Sequence, residues 1–150
     1  MKTRKEATKA LSEIPCINFG GCLISAYAFY LHEQKAGRAK NLQLVALSYS
    51  EDSYYETNLA FLKGESQKAT SSCHFGWTYN KGKVVYDCDG KVDRYSIKLL
   101  IDKAKTDQFC KASLNDKDWN RRFDRKNSMP LVEKELGVEL KGIELNPYRR

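Results

Sequence analysis

Cys73-His74-Phe75-Gly76-Trp77-Thr78-Tyr79, the turn Asn80-Lys81-Gly82-Lys83 and the run Val84-Val85-Tyr86-Asp87-Cys88-Asp89-Gly90 decide the fold class of this chain. Two runs rich in aromatic and β-branched residues, separated by four polar residues that include a glycine, read as a β-hairpin. Upstream, Asn41 to Ser50 sets Leu42, Leu44, Ala46 and Ser48 on one side, the period of two that marks a strand. Between these, residues 51–72 are polar, with Tyr54-Tyr55 and an apolar patch from Leu59 to Leu62, and predict a loop or short helix. From Cys22 the period turns helical, with Leu23, Tyr27, Tyr30, Leu31 and Gln34 on one face and Gly37 as the stop. Residues 3–13 predict a short helix with Thr3 as N-cap and Glu6 three residues on, a capping box, ended by Pro15. Ser96 to about Lys111 reads as a further helix, with Ile97, Leu100, Ile101 and Ala104 on one face. Residues 115–137 are helical in pattern but broken at Met129-Pro130, and the last dozen residues read as a tail or an edge strand. The order predicts an α+β fold, with strand 41–50 and the hairpin in one antiparallel sheet.

A length of 150 residues suits a single domain with one core, 1–150, carrying an N-terminal helix in 1–15 and a C-terminal helical extension over 96–150. No apolar run approaches the ~18–20 residues of a membrane span, so no membrane partner is expected. MKTRKEATKALSEIP at the N-terminus has no apolar stretch of the kind an export signal needs, which makes cytoplasmic residence the expectation. In a reducing compartment five cysteines are thiols, ligands or nucleophiles before they are disulfides. The net charge of +7 is spread along the chain; its densest cluster is Arg121-Arg122 with Arg125-Lys126, interrupted by Asp124. Diffuse excess of this kind names no partner by itself.

The chemical signal begins at Asn18-Phe19-Gly20-Gly21-Cys22, a loop running into a helix. A thiol in the first helical turn sits at the positive end of the macrodipole, beside backbone N–H groups with no intrahelical acceptor. That setting favours the thiolate, which is the nucleophile, and the same N–H groups can receive a developing oxyanion. Gly20 and Gly21 leave room for a substrate to approach the sulfur. A cysteine nucleophile needs a base, and the chain has two histidines. His32 lies ten residues along the same helix, about 15 Å away, and is expected on the exposed face or near the helix end. His74 opens the first hairpin strand and pairs with roughly position 89. Asp87 and Asp89 share strand parity, so either can orient its imidazole.

Asn18-x-Gly-Gly-Cys22 before an Ala/Tyr/Leu-rich helix, His74 opening a strand and Tyr86-Asp87 closing the next resemble the papain-like thiol superfamily. Within it the chain is most similar to the compact transglutaminase-like and arylamine-acetyltransferase-like branches, and to small phage and bacterial proteins with an N-x-G-G-C helix start. The resemblance covers residues 16–35 and 73–90. It implies a nucleophile helix packed on a small antiparallel sheet, with Cys22 as nucleophile, His74 as base and Asp87 as orienting carboxylate. The Tyr-Asp-x-x-Gly cue selects Asp87, whereas the longer His-to-Asp spacing of transglutaminase-like hairpins selects Asp89. It also implies amide or thioester chemistry on a protein or peptide substrate without a cofactor, with Asn18, Gly20, Gly21 and Trp77 on the oxyanion and substrate side. The chain departs from the peptidase pattern in two places. Cys16 stands where a papain-like peptidase has an oxyanion-donating glutamine, which leaves Asn18 or the Cys22 N–H as donor, and Leu23 replaces the usual aromatic after the nucleophile.

Three rival readings stand beside this one. Cys16, Cys22, Cys73, His74 and Cys88 are ligand types for zinc, but there is no Cys-x2-Cys pair and adjacent Cys73 and His74 point to opposite faces of a strand. The Arg121–Lys126 patch, interleaved with Trp119 and Phe123, can contact phosphates and bases, or else bury both rings in an amphipathic helix. The Cys-His-Asp set can also be a relic on a binding module of papain-like fold.

Overall fold

The computed structural model describes residues 1–116 and 122–147. Among the described residues, five helices accompany a five-stranded antiparallel sheet of order β4-β3-β2-β1-β5, an α+β arrangement. The strands are β1 (Gln43–Ser48), β2 (His74–Thr78), β3 (Val85–Asp87), β4 (Gly90–Val92) and β5 (Ile97–Leu100). The helices are α1 (Arg4–Ser12), α2 (Cys22–Lys35), α3 (Ser53–Leu62), α4 (Thr106–Leu114) and α5 (Arg125–Leu136).

Local signals set the boundaries of the first two helices. Thr3 caps α1 through the reciprocal bonds with Glu6 expected of a capping box. Gly37, at φ +74°, closes α2: its N–H donates to the Gln34 carbonyl and the Arg38 N–H to that of Glu33, the Schellman pattern. In place of the single apolar face that the periodicity predicts, α2 is buried all round from Cys22 to Tyr30. It is the central helix of the main core, and α1, α4, α5 and one sheet face pack on it. That sheet face presents Leu44, Ala46, Phe75 and Trp77; the opposite face carries a smaller cluster of Val45, Leu47, Val85 and Val92.

The hairpin forms with Trp77 opposite Tyr86, and its second run divides into β3 and β4 at a tight turn through Cys88 and Asp89. Strand β1 pairs with β2, so strand and hairpin share one sheet as their alternation requires. Residues 51–72 hold α3, with Asp52 accepting from the N–H groups of Tyr54 and Tyr55 as N-cap.

Three expectations for the C-terminal half are corrected. Residues 97–100 are an edge strand on β1, not the start of a helix; Leu99 faces the main core and Leu100 the smaller one. Helix begins only after Asp102, whose side chain caps a short 3-10 turn leading into α4. The 97/100/101/104 spacing was helical by coincidence, and the unpaired edge of β1 decided the conformation. Pro130 does not break α5: it and Lys126, whose carbonyl it leaves without an N–H donor, are both exposed residues of the helix. Residues 138–147 form turns rather than a strand, and their Leu140 and Ile143 are buried in the core.

Candidate active site

Cys22 is the first residue of α2, and the glycines before it have distinct jobs. Gly20 adopts φ +99°, a backbone region that side chains strain. Gly21 is the N-cap, and a Cβ there would lie 2.6 Å from Phe123 and 2.8 Å from the Ile17 carbonyl. Its bare backbone is thus filled by the protein, not left open for a substrate as the sequence suggested. No side chain caps the helix and no acidic residue lies in its first turn, so nothing anionic offsets the positive helix end at Cys22. Cys22 is 6% exposed, and its sulfur donates to the Cys73 carbonyl at 3.5 Å.

His74 opens β2 beside that carbonyl. Its Nε2 lies 2.8 Å from Asp87 Oδ2, and both side chains are buried. Burial works against the imidazolium, but hydrogen bonds to Asp87 and to Cys22 outweigh it and push His74 up to about 9. With Nε2 committed to Asp87, Nδ1 is the ring nitrogen left for the sulfur. Thus Cys22, His74 and Asp87 meet around one imidazole.

Asp89 is not the partner of His74. The strand register does set position 74 opposite 89, but β3 ends at Asp87 and the chain turns before Asp89 can face the ring. The Asp89 N–H donates to Asp87 Oδ1 at 2.8 Å, and the Asp89 carboxylate accepts from Asn18 Nδ2 at 2.6 Å. Asn18 therefore braces the loop before Cys22 against the β3–β4 turn and does not offer that N–H to an oxyanion. Trp77, expected on the substrate side, is buried on the opposite sheet face, with its ring stacked on Phe29 at 4.1 Å.

The remaining cysteines separate by environment. Burial, then the nearby Cys22, pushes the Cys73 thiol up to about 12. Burial and Asp89 push Cys88 up to about 12 against hydrogen bonding from Ser25 and Asn18. Cys110, wholly buried in the core, is raised well above the ordinary thiol value. These three are held as neutral thiols, and Cys16 is exposed. Among the described residues no three His, Cys, Asp or Glu side chains gather to hold a metal ion.

His32 lies in the last turn of α2, near the helix end as one alternative had it, but it is buried rather than exposed, and its Nδ1 lies 3.0 Å from Glu33. Glu33 also accepts from Arg4 and Arg38 at 2.7 Å each, which joins α1 to α2. Of the basic cluster, Arg122 and Lys126 are exposed and Arg125 is not. Arg125 is 2% exposed and donates to the Glu144 carbonyl, Phe123 is buried against Gly21, and Trp119 and Arg121 lie outside the described residues.

The sequence reading missed the aromatic cover of His74. Tyr95 stacks on the imidazole with centroids 5.4 Å apart, Tyr49 packs on Tyr95 at 4.7 Å, and Arg94 lies over the Tyr95 ring. A π face against a ring carrying positive charge stabilises the charge and fixes the ring plane. Lys91-Val92-Asp93-Arg94-Tyr95-Ser96 has no motif that announces this role.

Among the described residues, no helix is long and apolar enough to cross a membrane. No protein-family model, curated protein or solved structure matches the chain.

Proposed function

We propose that Cys22, His74 and Asp87 form a thiol active site that attacks an amide or (thio)ester carbonyl through an acyl-enzyme, on a domain of papain-like or transglutaminase-like type. The observation that carries the reading is the shared imidazole: one nitrogen on a buried carboxylate at 2.8 Å, the other left for a thiol at an uncapped helix start. His74 takes the thiol proton, and Asp87 balances the resulting cation. The sulfur then bonds to the carbonyl carbon. With the Asn18 Nδ2 bonded to Asp89, the backbone N–H of Cys22 is the donor for the oxyanion. Collapse breaks the bond to the leaving amine or thiol, which takes the proton from His74. Water resolving the thioester makes a peptidase, amidase or deamidase; an amine makes an acyltransferase. The substrate is a protein or peptide, and the site needs no cofactor. A reducing cytoplasm, bacterial or that of a phage-infected host, keeps the Cys22 thiol free for this use.

Iodoacetamide at neutral pH, read by peptide mapping, tests the proposal. Cys22 is expected to alkylate faster than exposed Cys16 despite its burial, and His74→Ala to lower the Cys22 rate by about 10²-fold. Faster labelling of Cys16 in the unmodified chain, or an unchanged Cys22 rate in the variant, would remove the nucleophile.

A further inference from the structure

A cleft of about 570 Å³ lies between α1 and the β3–β4 turn, on the other side of the sheet from the His74 ring. One wall is a helical face with Lys5, Thr8, Lys9 and Ser12; the other is aromatic, formed by Trp77, Tyr79 and Tyr86. We propose that this cleft binds an extended acidic peptide of the pattern Glu/Asp–apolar–Glu/Asp, with its carboxylates on Lys5 and Lys9 and its middle side chain on the aromatic wall.

The charge is complementary to such a ligand because the cations of the cleft outnumber its uncompensated anions. Asp87 is held by His74, whereas Asp89, bonded to the neutral Asn18 amide, keeps its charge as a single carboxylate across from two lysines. Arg4, also on the α1 wall, is bonded to Glu33 and to the Arg38 carbonyl. Lys5 and Lys9 line the cleft and have no ion-pair partner among the described residues, so both are available to a ligand's carboxylates.

Spacing narrows the ligand. Lys5 and Lys9 are one helical turn apart, roughly 6 Å along α1. Alternate side chains of an extended peptide repeat at roughly 6.6–7 Å and point to the same side. Residues i and i+2 of such a peptide thus meet the two lysines, and residue i+1 is turned to the rings.

The rings favour a peptide over a nucleic acid. Base stacking needs a free aromatic face. Trp77 is 2% exposed with one face on Phe29, and Tyr79 has the Arg4 guanidinium over its ring at 4.5 Å. Only Tyr86, 38% exposed, is open, which suits one apolar side chain better than a run of bases.

The full chain carrying Cys22→Ser is the material for the test, so binding is read apart from any thiol chemistry. The probe is a fluorescein-labelled Gly-Glu-Leu-Glu-Gly peptide, followed by anisotropy at low salt. Saturable binding is expected, weakened about tenfold by Lys5→Glu with Lys9→Glu and to a lesser degree by the milder Lys5→Gln with Lys9→Gln. Replacing the central Leu of the probe by Ser should weaken it about fivefold. Absence of saturable binding, or affinity indifferent to the lysine variants in a chain shown folded by circular dichroism, overturns the proposal. Displacement of the peptide by a short oligothymidylate more readily than by unlabelled peptide also overturns it, in favour of a nucleic-acid groove.

Discussion

Two buried histidines in this molecule each sit against a carboxylate, and they do different things. His32 Nδ1 meets Glu33 at 3.0 Å, and His74 Nε2 meets Asp87 at 2.8 Å. Glu33 is already balanced by the guanidinium groups of Arg4 and Arg38, so its imidazole is one contact among several in a brace between α1 and α2. Among the described residues no guanidinium is bonded to Asp87. Its partners are His74 and the Asp89 N–H, so His74 is the cation that its charge calls for. Only the second pair also has a thiol within reach. An imidazole polarised by a carboxylate becomes a proton acceptor for chemistry when no other cation has satisfied that carboxylate first.

Exchanging the two carboxylates for amides is the strongest way to break this comparison. Asp87→Asn is expected to slow Cys22 alkylation by about 10²-fold, because the imidazole loses the charge that stabilises its protonated form. Glu33→Gln should leave that rate within about twofold per folded molecule. Stability separates them the other way: Glu33→Gln removes the charge that two partly exposed guanidinium groups bond and is expected to cost about 2 kcal/mol in urea unfolding. Equal loss of alkylation rate in both variants would mean that the two pairs are not distinct.

The pairs should also separate in pH. The imidazole of His74 is raised from 6.5 to about 9, so its stabilisation is complete below about pH 6.5 and is lost as pH rises through about 9. Burial opposes the Glu33 charge, but the bonds from Arg38, Arg4 and His32 hold its carboxyl below the usual 4.5. That contribution is present above pH 4.5 and lost as pH falls through the lowered value. The stability advantage of the unmodified chain over Asp87→Asn should therefore shrink toward alkali. Its advantage over Glu33→Gln should persist there and shrink in acid. Urea titrations below, within and above the His74 window measure both, and a pH-independent advantage over Asp87→Asn would contradict the His74–Asp87 charge coupling. Taking differences between chains removes the background of the buried thiols Cys73 and Cys88, which lose stability in the same alkaline direction.

What was legible in the sequence was what local chemistry decides. The Thr3–Glu6 capping box, the Gly37 stop and the turn between β2 and β3 each lie within a few residues, and each formed as read. Hairpin arithmetic also brought His74 to the Asp87–Asp89 end of the partner strand, without choosing between the two carboxylates. Tertiary neighbours decided the rest. His32 is buried because Arg4 and Arg38 neutralise the glutamate beside it, although Arg4 is 29 residues distant from Glu33. Ile97–Leu100 is a strand because β1 has a free edge, and Tyr95 covers His74 from a stretch without any periodic signal.

The choice between Asp87 and Asp89 lay between these cases, and it gives the smallest expected effect. Parity allowed both; the turn at Cys88 and Asp89 and the Asn18 bond separated them. Asp89→Asn should accordingly change the Cys22 alkylation rate by no more than about threefold, since it alters an exposed hydrogen bond between loop and turn rather than the charge beside His74. Asn18→Ala should do the same, because the brace is lost from its other end. A loss of 10²-fold or more in Asn18→Ala would instead mark that amide as an oxyanion donor, since removal of one such donor costs about 10²–10³. The same loss confined to Asp89→Asn would return the orienting role to Asp89. The two variants together separate a brace from a participant, because a brace responds equally to removal of either end.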